Sequence, residues 1–456
     1  NGGKVIVWAD DITRYYGQIS ARGGPRIGSG GFVETSGKNN LIILSGRVDA
    51  SATSGAAGIW LLDPSNVNIV AATAEIDTLV NTPTAGTTTF SPTDPATAAT
   101  IDVATINTAL NAGTNVIVDT VSSAAQTGTI TVTSAVLKTA GGDATLTLDA
   151  ADTITVSNTI GSTTGGRLGV TLKAGSTVTI NNAITTNGGD FQSTGTTFTN
   201  AAGGTIATAG GALTIDHTGF ITISDTLSSS GGNISITGSN LTVSVGPTVD
   251  SGSGNVTLKP KTATTIGVGA GGGVFSVDNT ELSQIASTGT ITIGDRTLAS
   301  DIVVGGISAG TKNLRLATAG TINDDGSTAV TLTTGTLTLD AASTIGNTTT
   351  FDVNVAKLVV KTEASFDITN AGTLTDLSVI TNGAAATQNL ISTGLTTYSV
   401  AETGSNTTIT NVTSAANLNF SYQNTVGNIT VGTVNAVAGN VTLTATTGSI
   451  LDDEAL

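Results

Sequence analysis

Among 456 residues there is one histidine, His217 in "LTIDHTGF", and there is no cysteine. A Ser/His/Asp relay needs an imidazole to carry the proton, and zinc sites draw on several imidazoles or thiolates. A single imidazole in an ordinary strand-and-turn unit fits neither, so His217 is expected at the surface or in a turn. Carboxylates are more numerous, and polysaccharide-cleaving β-helices use them beside an Arg or Lys on one face of a coil. Asp324 and Asp325, with Arg296 and Arg315 upstream, form the strongest such candidate. The same Asp-Asp recurs at Asp452 and Asp453 without the arginines. A catalytic group should be singular, whereas a repeated pair reads as coil corners in which Asp bonds its own backbone. Calcium at an acidic corner is the alternative, but the "GGxGxDx" nonapeptide of calcium-binding repeats is absent.

Two further features invite chemistry. "GGPRIGSGG", Gly23 to Gly31, could cradle a phosphate. It lacks the Lys-Ser/Thr ending of a P-loop and a following helix, so tight coil corners explain the glycines better. Trp8, Trp60, Tyr15 and Tyr16 stand out in a chain with 3% aromatics. Trp8 and Trp60 are expected inward as core residues, with stacking on a sugar ring as the other reading. No catalytic, cofactor-binding or metal-ligating residue is assigned, and the chain is read as a non-enzyme without a cofactor.

The elements that hold these residues are short strands. Gly is 58 of 456, charged residues are 11%, and Thr, Val, Ile, Ala and Asn crowd every window. Those types suit strands and turns, whereas the formers of long amphipathic helices are scarce. Hydrophobic residues at 38% and a mean hydropathy of +0.24 exclude a disordered chain. From about residue 128 units such as "GGDATLTLDA", "GGNISITG" and "GSGNVTLKP" repeat one formula: glycine, an alternating Val/Ile/Leu strand, then a polar stop. A longer repeat relates Asp301–Asp325 to Asn428–Asp453, with Asn313 matched to Asn440 and Gly320 to Gly448. Duplicated blocks of coils leave such a trace.

The expected fold is therefore all-β, a right-handed parallel β-helix. Roughly 20 coils stacked at about 4.8 Å would make a rod on the order of 100 Å long. Three segments are expected: a β-helix head over residues 1–78, a proline-rich excursion and short helix over 79–120, and a repetitive shaft over 121–456. The helix is placed near Ile101 to Leu110, stopped by Gly113 before a strand at Val116 to Val118. Sixteen basic residues against 32 acidic ones, a formal charge of −16, argue against nucleic acid. No signal-peptide core or apolar membrane span is visible. The lack of methionine and the repeat-like ends suggest a fragment, or coils that associate end to end.

Residues 2–69, "GGKVIVWADDITRYYGQISARGGPRIGSGGFVETSGKNNLIILSGRVDASATSGAAGIWLLDPSNVNI", resemble a segment of filamentous haemagglutinin-like exoproteins of Gram-negative two-partner secretion systems. In that family the segment follows the secretion domain. The matching positions are Gly2 to Asp10, Thr13, Tyr16, Gly17, Gly23, Gly24, Gly30 to Glu34, Ser36, Gly37, Leu61 to Pro64, Asn66 and Ile69. "INTALNAGTNVIV" extends the resemblance to about residue 120, and the repeat body resembles the family in style only. The resemblance implies export of an unfolded precursor through an Omp85-like outer-membrane transporter, guided by an N-terminal secretion domain whose Asn-Pro motifs this sequence lacks. It implies folding outside the cell into a β-helical adhesin or biofilm fibre. The expected partners are host or neighbouring-cell surface glycans or proteins, and other copies of the chain. A matrix fibre without a receptor is the main alternative, and a polysaccharide-active β-helix enzyme the weaker one.

Overall fold

The computed structural model describes all residues except 39, 72–79, 85–86, 92–97, 121–126, 247, 327–329, 347–348, 372–375, 382–386, 393–396, 403–406, 415–418, 425–427, 437–439 and 453–456. The chain is a parallel β-helix in two compact units, Asn1–Thr218 with Thr222–Gly232, and Gly219–Ile221 with Asn233–Leu456.

In the first unit the longest sheet takes one strand from each coil. In order these are Lys4–Ala9, Phe32–Gly37, Ile59–Asp63, Asn115–Asp119, Ala144–Ala150, Leu168–Ala174, Phe191–Gly195 and Leu213–His217, every neighbour parallel. A second parallel sheet includes Val67–Val70, Ile130–Val132, Ile154–Val156, Thr177–Ile180 and Thr197–Asn200. A third joins Val136–Lys138, Ile160–Ser162, Ile184–Thr185, Ile206–Ala207 and Leu227–Ser228. In the second unit ten strands, from Ile234–Gly238 to Val441–Ala445, build the long sheet, with Ser308–Gly310 to Ile450–Asp452 opposite.

Alternation decides the core. Because successive side chains of a strand point to opposite faces, each coil adds every second residue to an inner stack. One stack runs Val33, Trp60, Val116, Leu146, Val170, Phe191, Leu213, all buried and all in register. Small branched residues fill most of these stacked positions.

The corners explain the recurring "GG". In "TNGGD", "TAGGA" and "SSGGN" the buried hydroxyls of Thr186, Thr208 and Ser229 donate to the carbonyls of Gly189, Gly211 and Gly232. The two residues between turn left-handed: Asn187, Ala209 and Ser230 at φ near 52°, then Gly188, Gly210 and Gly231 at 89° to 118°. The second glycine is needed for closeness, since a Cβ there would meet the carbonyl of Leu168, Gly189 or Gly211 on the preceding coil. Lys138 occupies the position stacked on Ser162 and points inward. Its Nζ donates to the Ala140 carbonyl, and burial pushes its pKa down against the pull of Asp143.

Outside several corners an Asx side chain ties one coil to the next. Asn115, Asp143 and Asp190 accept through Oδ1 from the backbone N–H of Thr145, Arg167 and Ala212, each at 2.8 Å. Asn233, Asn255 and Asn313 do the same to Asn255, Thr290 and Thr336 at 2.8–3.0 Å. The long repeat preserves this function. Asp301 accepts from Thr321 at 2.9 Å, and Asn428, its counterpart, accepts from Ser449 at 2.8 Å.

The helix expected before Gly113 is present as Val103–Asn111, capped by Asp102, whose side chain accepts from Ala104 N. Ile101 belongs to the preceding strand Ala99–Asp102. Gly113, at φ 81°, reverses the chain into Asn115–Asp119. A second helix, Asn279–Ser283, has no counterpart among the sequence expectations and rests on a capping box between Asp278 and Glu281. Of the proline-rich excursion, Val80–Thr84 and Thr87–Ser91 pair as an antiparallel hairpin; Pro92 and Pro95 lie outside the described residues.

Two outcomes follow from this packing. Ile234→Asp places a charge in a buried stack against Val256 and is expected to cost more than about 4 kcal/mol, whereas Thr257→Ser, on the outer face, stays within about 0.5 kcal/mol in denaturant titrations. Equal effects would mean that the strand faces are misassigned. Ala209→Asn replaces a left-handed alanine with the residue that Asn187 supplies one coil earlier, and should stabilise by about 0.5–1 kcal/mol; a lowered unfolding midpoint would contradict the corner geometry.

Candidate functional site

His217 is not at the surface. It ends the strand Leu213–His217 at an inward position and is fully buried. Its Nε2 shares a hydrogen bond with Ser193 Oγ at 2.9 Å, and its ring lies 5.5 Å from that of Phe198. The expectation of a surface or turn histidine fails because alternation continues through "LTIDH", so Leu213, Ile215 and His217 share the inner face. Ser193 is also fully buried, so this pair has no path to a substrate.

The carboxylate cluster assembles differently from the sequence expectation. Arg296 and Arg315 turn to Asp340, not to the Asp324–Asp325 pair. Arg296 Nε donates to Asp340 Oδ1 at 2.9 Å, and Arg315 Nη2 to Asp340 Oδ2 at 2.6 Å. Arg296 also pairs with Glu363 at 2.7 Å. The strands Asn313–Thr318 and Thr336–Ala341 are adjacent, and the lateral reach of Arg315 from one to the other cannot be read from residue spacing. Asp340 is buried, so both arginines serve as its counter-ions. Nearby, Lys259 and Asp295 pair at 2.7 Å. Burial raises the Asp295 pKa, but the Lys259 ammonium and bonds from Thr297 outweigh it, leaving the carboxyl at about 2.

Asp324 closes a turn, as expected of a corner: its Oδ1 accepts from Gly326 N at 2.5 Å, and burial holds its pKa above the usual range. Asp452 is exposed, and Asp453 lies outside the described residues. The glycines of Gly23–Gly31 hold no phosphate nest. The N–H groups of Gly23, Gly30 and Gly31 donate to the carbonyls of Ser51, Ala56 and Ala21, and a Cβ on Gly30 would collide with the Ala50 carbonyl.

The two tryptophans part company. Trp60 is fully buried, its Nε1 donating to Thr35 Oγ1 at 3.0 Å and its ring meeting Tyr15 edge-on at 6.5 Å. Trp8, expected inward, is 54% exposed. In Lys4–Ala9 the inward parity belongs to Val5 and Val7, aligned with Val33 and Thr35, so Trp8 faces out. Tyr15 is buried and donates to the Arg47 carbonyl at 2.7 Å, and burial raises its pKa; Tyr16 is exposed.

By parity Trp8 shares a column with Ser36, itself covered, and Asp63, and the register of the next strands continues it through Asp119, Asp149 and Lys173. Three carboxylates thus stack on successive coils, and only Asp149 meets the Lys173 ammonium, at 3.2 Å. Asp63 Oδ1 is buried without a hydrogen-bond partner among the described residues. Burial first, then Asp119 and Glu34, push the Asp63 pKa up to about 6. Asp119 is raised too, by burial and by Asp149, against opposing contributions from Thr120 N–H and Lys173.

A groove of about 770 Å³ opens on the outer face of the same sheet. Asn115, Thr145 and Gln192 line it from strands, and Asp143, Arg167 and Asp190 from the corners that precede strands. The end of helix Val103–Asn111, at Ala112 and Gly113, and the loop at Ala52 to Ala57 form its other wall. Sequence reading missed this site because its polar residues belong to four different coils. Among the described residues no group of three or more His, Asp or Glu side chains is arranged to hold a metal ion, and no helix is long and apolar enough to cross a membrane. No protein-family model matches the chain, and no curated protein matches it.

The Asp63 column sets a pH dependence. Because the folded-state pKa lies above the unfolded value of 3.8, the folded chain holds this proton more tightly. Stability should therefore rise as pH falls from 7 through 6 towards 4 and be reduced above pH 6. Asp63→Asn is expected to stabilise at pH 7.5 by on the order of 1–2 kcal/mol, allowing for solvent screening, and to flatten the slope between pH 5 and 7. Thermal unfolding of both proteins across that range checks it; an unchanged slope would show that the column does not titrate there.

Proposed function

We propose that the chain is a non-catalytic segment of an extracellular fibrous adhesin or surface filament of a Gram-negative bacterium, mediating attachment or biofilm formation. The observation that carries this reading is the repetition of outward polar side chains in strict register. Thr147, Thr171, Gln192 and Thr214 stand over one another on four successive coils of one face. At about 4.8 Å per coil, such columns offer many weak hydrogen bonds in series, and linked weak contacts give avidity without any one strong site. The resemblance of residues 1–120 to filamentous haemagglutinin-like exoproteins supports the same reading. On it, the precursor passes an Omp85-like transporter, the partners are surface glycans or proteins, and other copies of the chain are a further partner.

The use of charge also favours adhesion over catalysis. Asp340 engages Arg296 and Arg315, and His217 and Ser193 are buried. The test is attachment. Beads coated with the chain should adhere to cultured epithelial cells or to a biofilm surface several-fold more than albumin-coated beads, and soluble chain should compete. Adherence equal to albumin would overturn the reading, and new reducing ends on incubation with pectins or hyaluronan would replace it with an enzymatic one.

A further inference from the structure

The groove of the first unit has hydrogen-bonding capacity that the fold does not use. Asp143 and Asp190 each give one oxygen to the N–H of the next coil, at 2.8 Å, and the second carboxylate oxygen has no partner among the described residues. Asn115 likewise uses Oδ1 on Thr145 N and keeps its amide nitrogen free. The side chains of Arg167 and Gln192 make no hydrogen bond within the described residues, although both line the groove. The corner staples thus hold three of these groups rigidly while leaving their outer atoms to solvent, a pre-organised arrangement of donors and acceptors.

The floor between them is open at the Gly142 corner. In the outward column Asn115, Thr145, Gly169, Asp190, the second residue of the strand Leu168–Ala174 is a glycine, which lowers the row there; a Cβ on it would stand 3.0 Å from Thr145 Cγ2, so the Thr145 methyl forms the rim of the dip. A Cβ on Gly142 would meet nothing within 4 Å. Glycine on a strand face lets a ligand approach the backbone closely. With the wall of the helix end on one side, the space admits a ring and not only a surface-bound ion.

We propose that this groove is a binding site for a neutral oligosaccharide, held by hydrogen bonds from vicinal hydroxyls to Asp143, Asp190, Gln192, Asn115 and Arg167. The proposal rests on the adhesin reading and names its partner class. Vicinal hydroxyls both donate and accept, which suits free carboxylate oxygens set beside amide and guanidinium donors on neighbouring coils. Charge narrows the class. Two carboxylates against one guanidinium, on a chain of formal charge −16, disfavour sulfated or uronic sugars. Arg167, on the coil between those of Asp143 and Asp190, disfavours a cationic peptide.

The test uses the whole chain with cellohexaose, chitohexaose, mannohexaose, maltohexaose and a heparin hexasaccharide, by titration calorimetry. At least one neutral hexasaccharide should bind. Gly142→Trp, which fills the groove from an open position, and Gln192→Ala, which removes a side chain with no structural bond, should each weaken it at least 10-fold with unchanged melting temperature. Lys357→Ala, in the other unit, should leave it unchanged. Binding to none of the four, binding that survives both groove substitutions, or binding to the heparin probe alone would overturn the proposal. The bead assay separates the two readings: attachment undiminished by Gly142→Trp with no hexasaccharide bound leaves adhesion standing and removes the groove, whereas hexasaccharide binding without bead attachment does the reverse.

Discussion

Apart from the antiparallel hairpin, the strands of the stacked coils must find their hydrogen-bond partners on neighbouring coils. That requirement governs the rest. A parallel ladder is satisfied only if each corner returns the chain to the same height and phase, and the corner residues are chosen for it. An inward hydroxyl closes the turn on a glycine carbonyl, two left-handed residues reverse the chain, and an outward Asx oxygen bonds the next coil's N–H. Glycine abundance and the near absence of long helices are consequences of this geometry.

Register also decides where charge goes. Side chains of the same parity stack about 4.8 Å apart, so a residue acquires as neighbours whatever stands one coil away. In one place this brings Asp63, Asp119 and Asp149 into a column, and carboxylates resist ionisation together. In another it lets Arg296 and Arg315 converge on Asp340. Neither arrangement is adjacent in sequence. His217 and Ser193 are enclosed, and Asp340 is paired with two arginines.

The fold class was legible in the sequence because its signals are local. Alternation in "GGNISITG" marks inner and outer faces within five residues, and "ALNAGTNVIV" shows the helix, its glycine stop and the next strand in order. The matched positions of the long repeat were legible as well, and Asp301 and Asn428 perform the same task. Parity also carries the places of Trp8 and His217, the first outside with Ile6 and the second inside with Leu213 and Ile215. Residue type alone points the other way for both, because an aromatic ring suggests the core and an imidazole the surface.

The sequence by itself determined that the chain would be short alternating strands between glycine corners, because backbone preference and period-two burial act within a few residues. The tertiary structure alone decided which residues meet. The interval from one coil to the next varies, from Asp190 to Ala212 in one case and from Asn255 to Thr290 in another, since excursions and the second helix are inserted between strands. Counting along the chain therefore does not give the residue overhead. Only the closed ladder of backbone hydrogen bonds sets that pairing, and with it the Asp340 cluster, the carboxylate column and the groove.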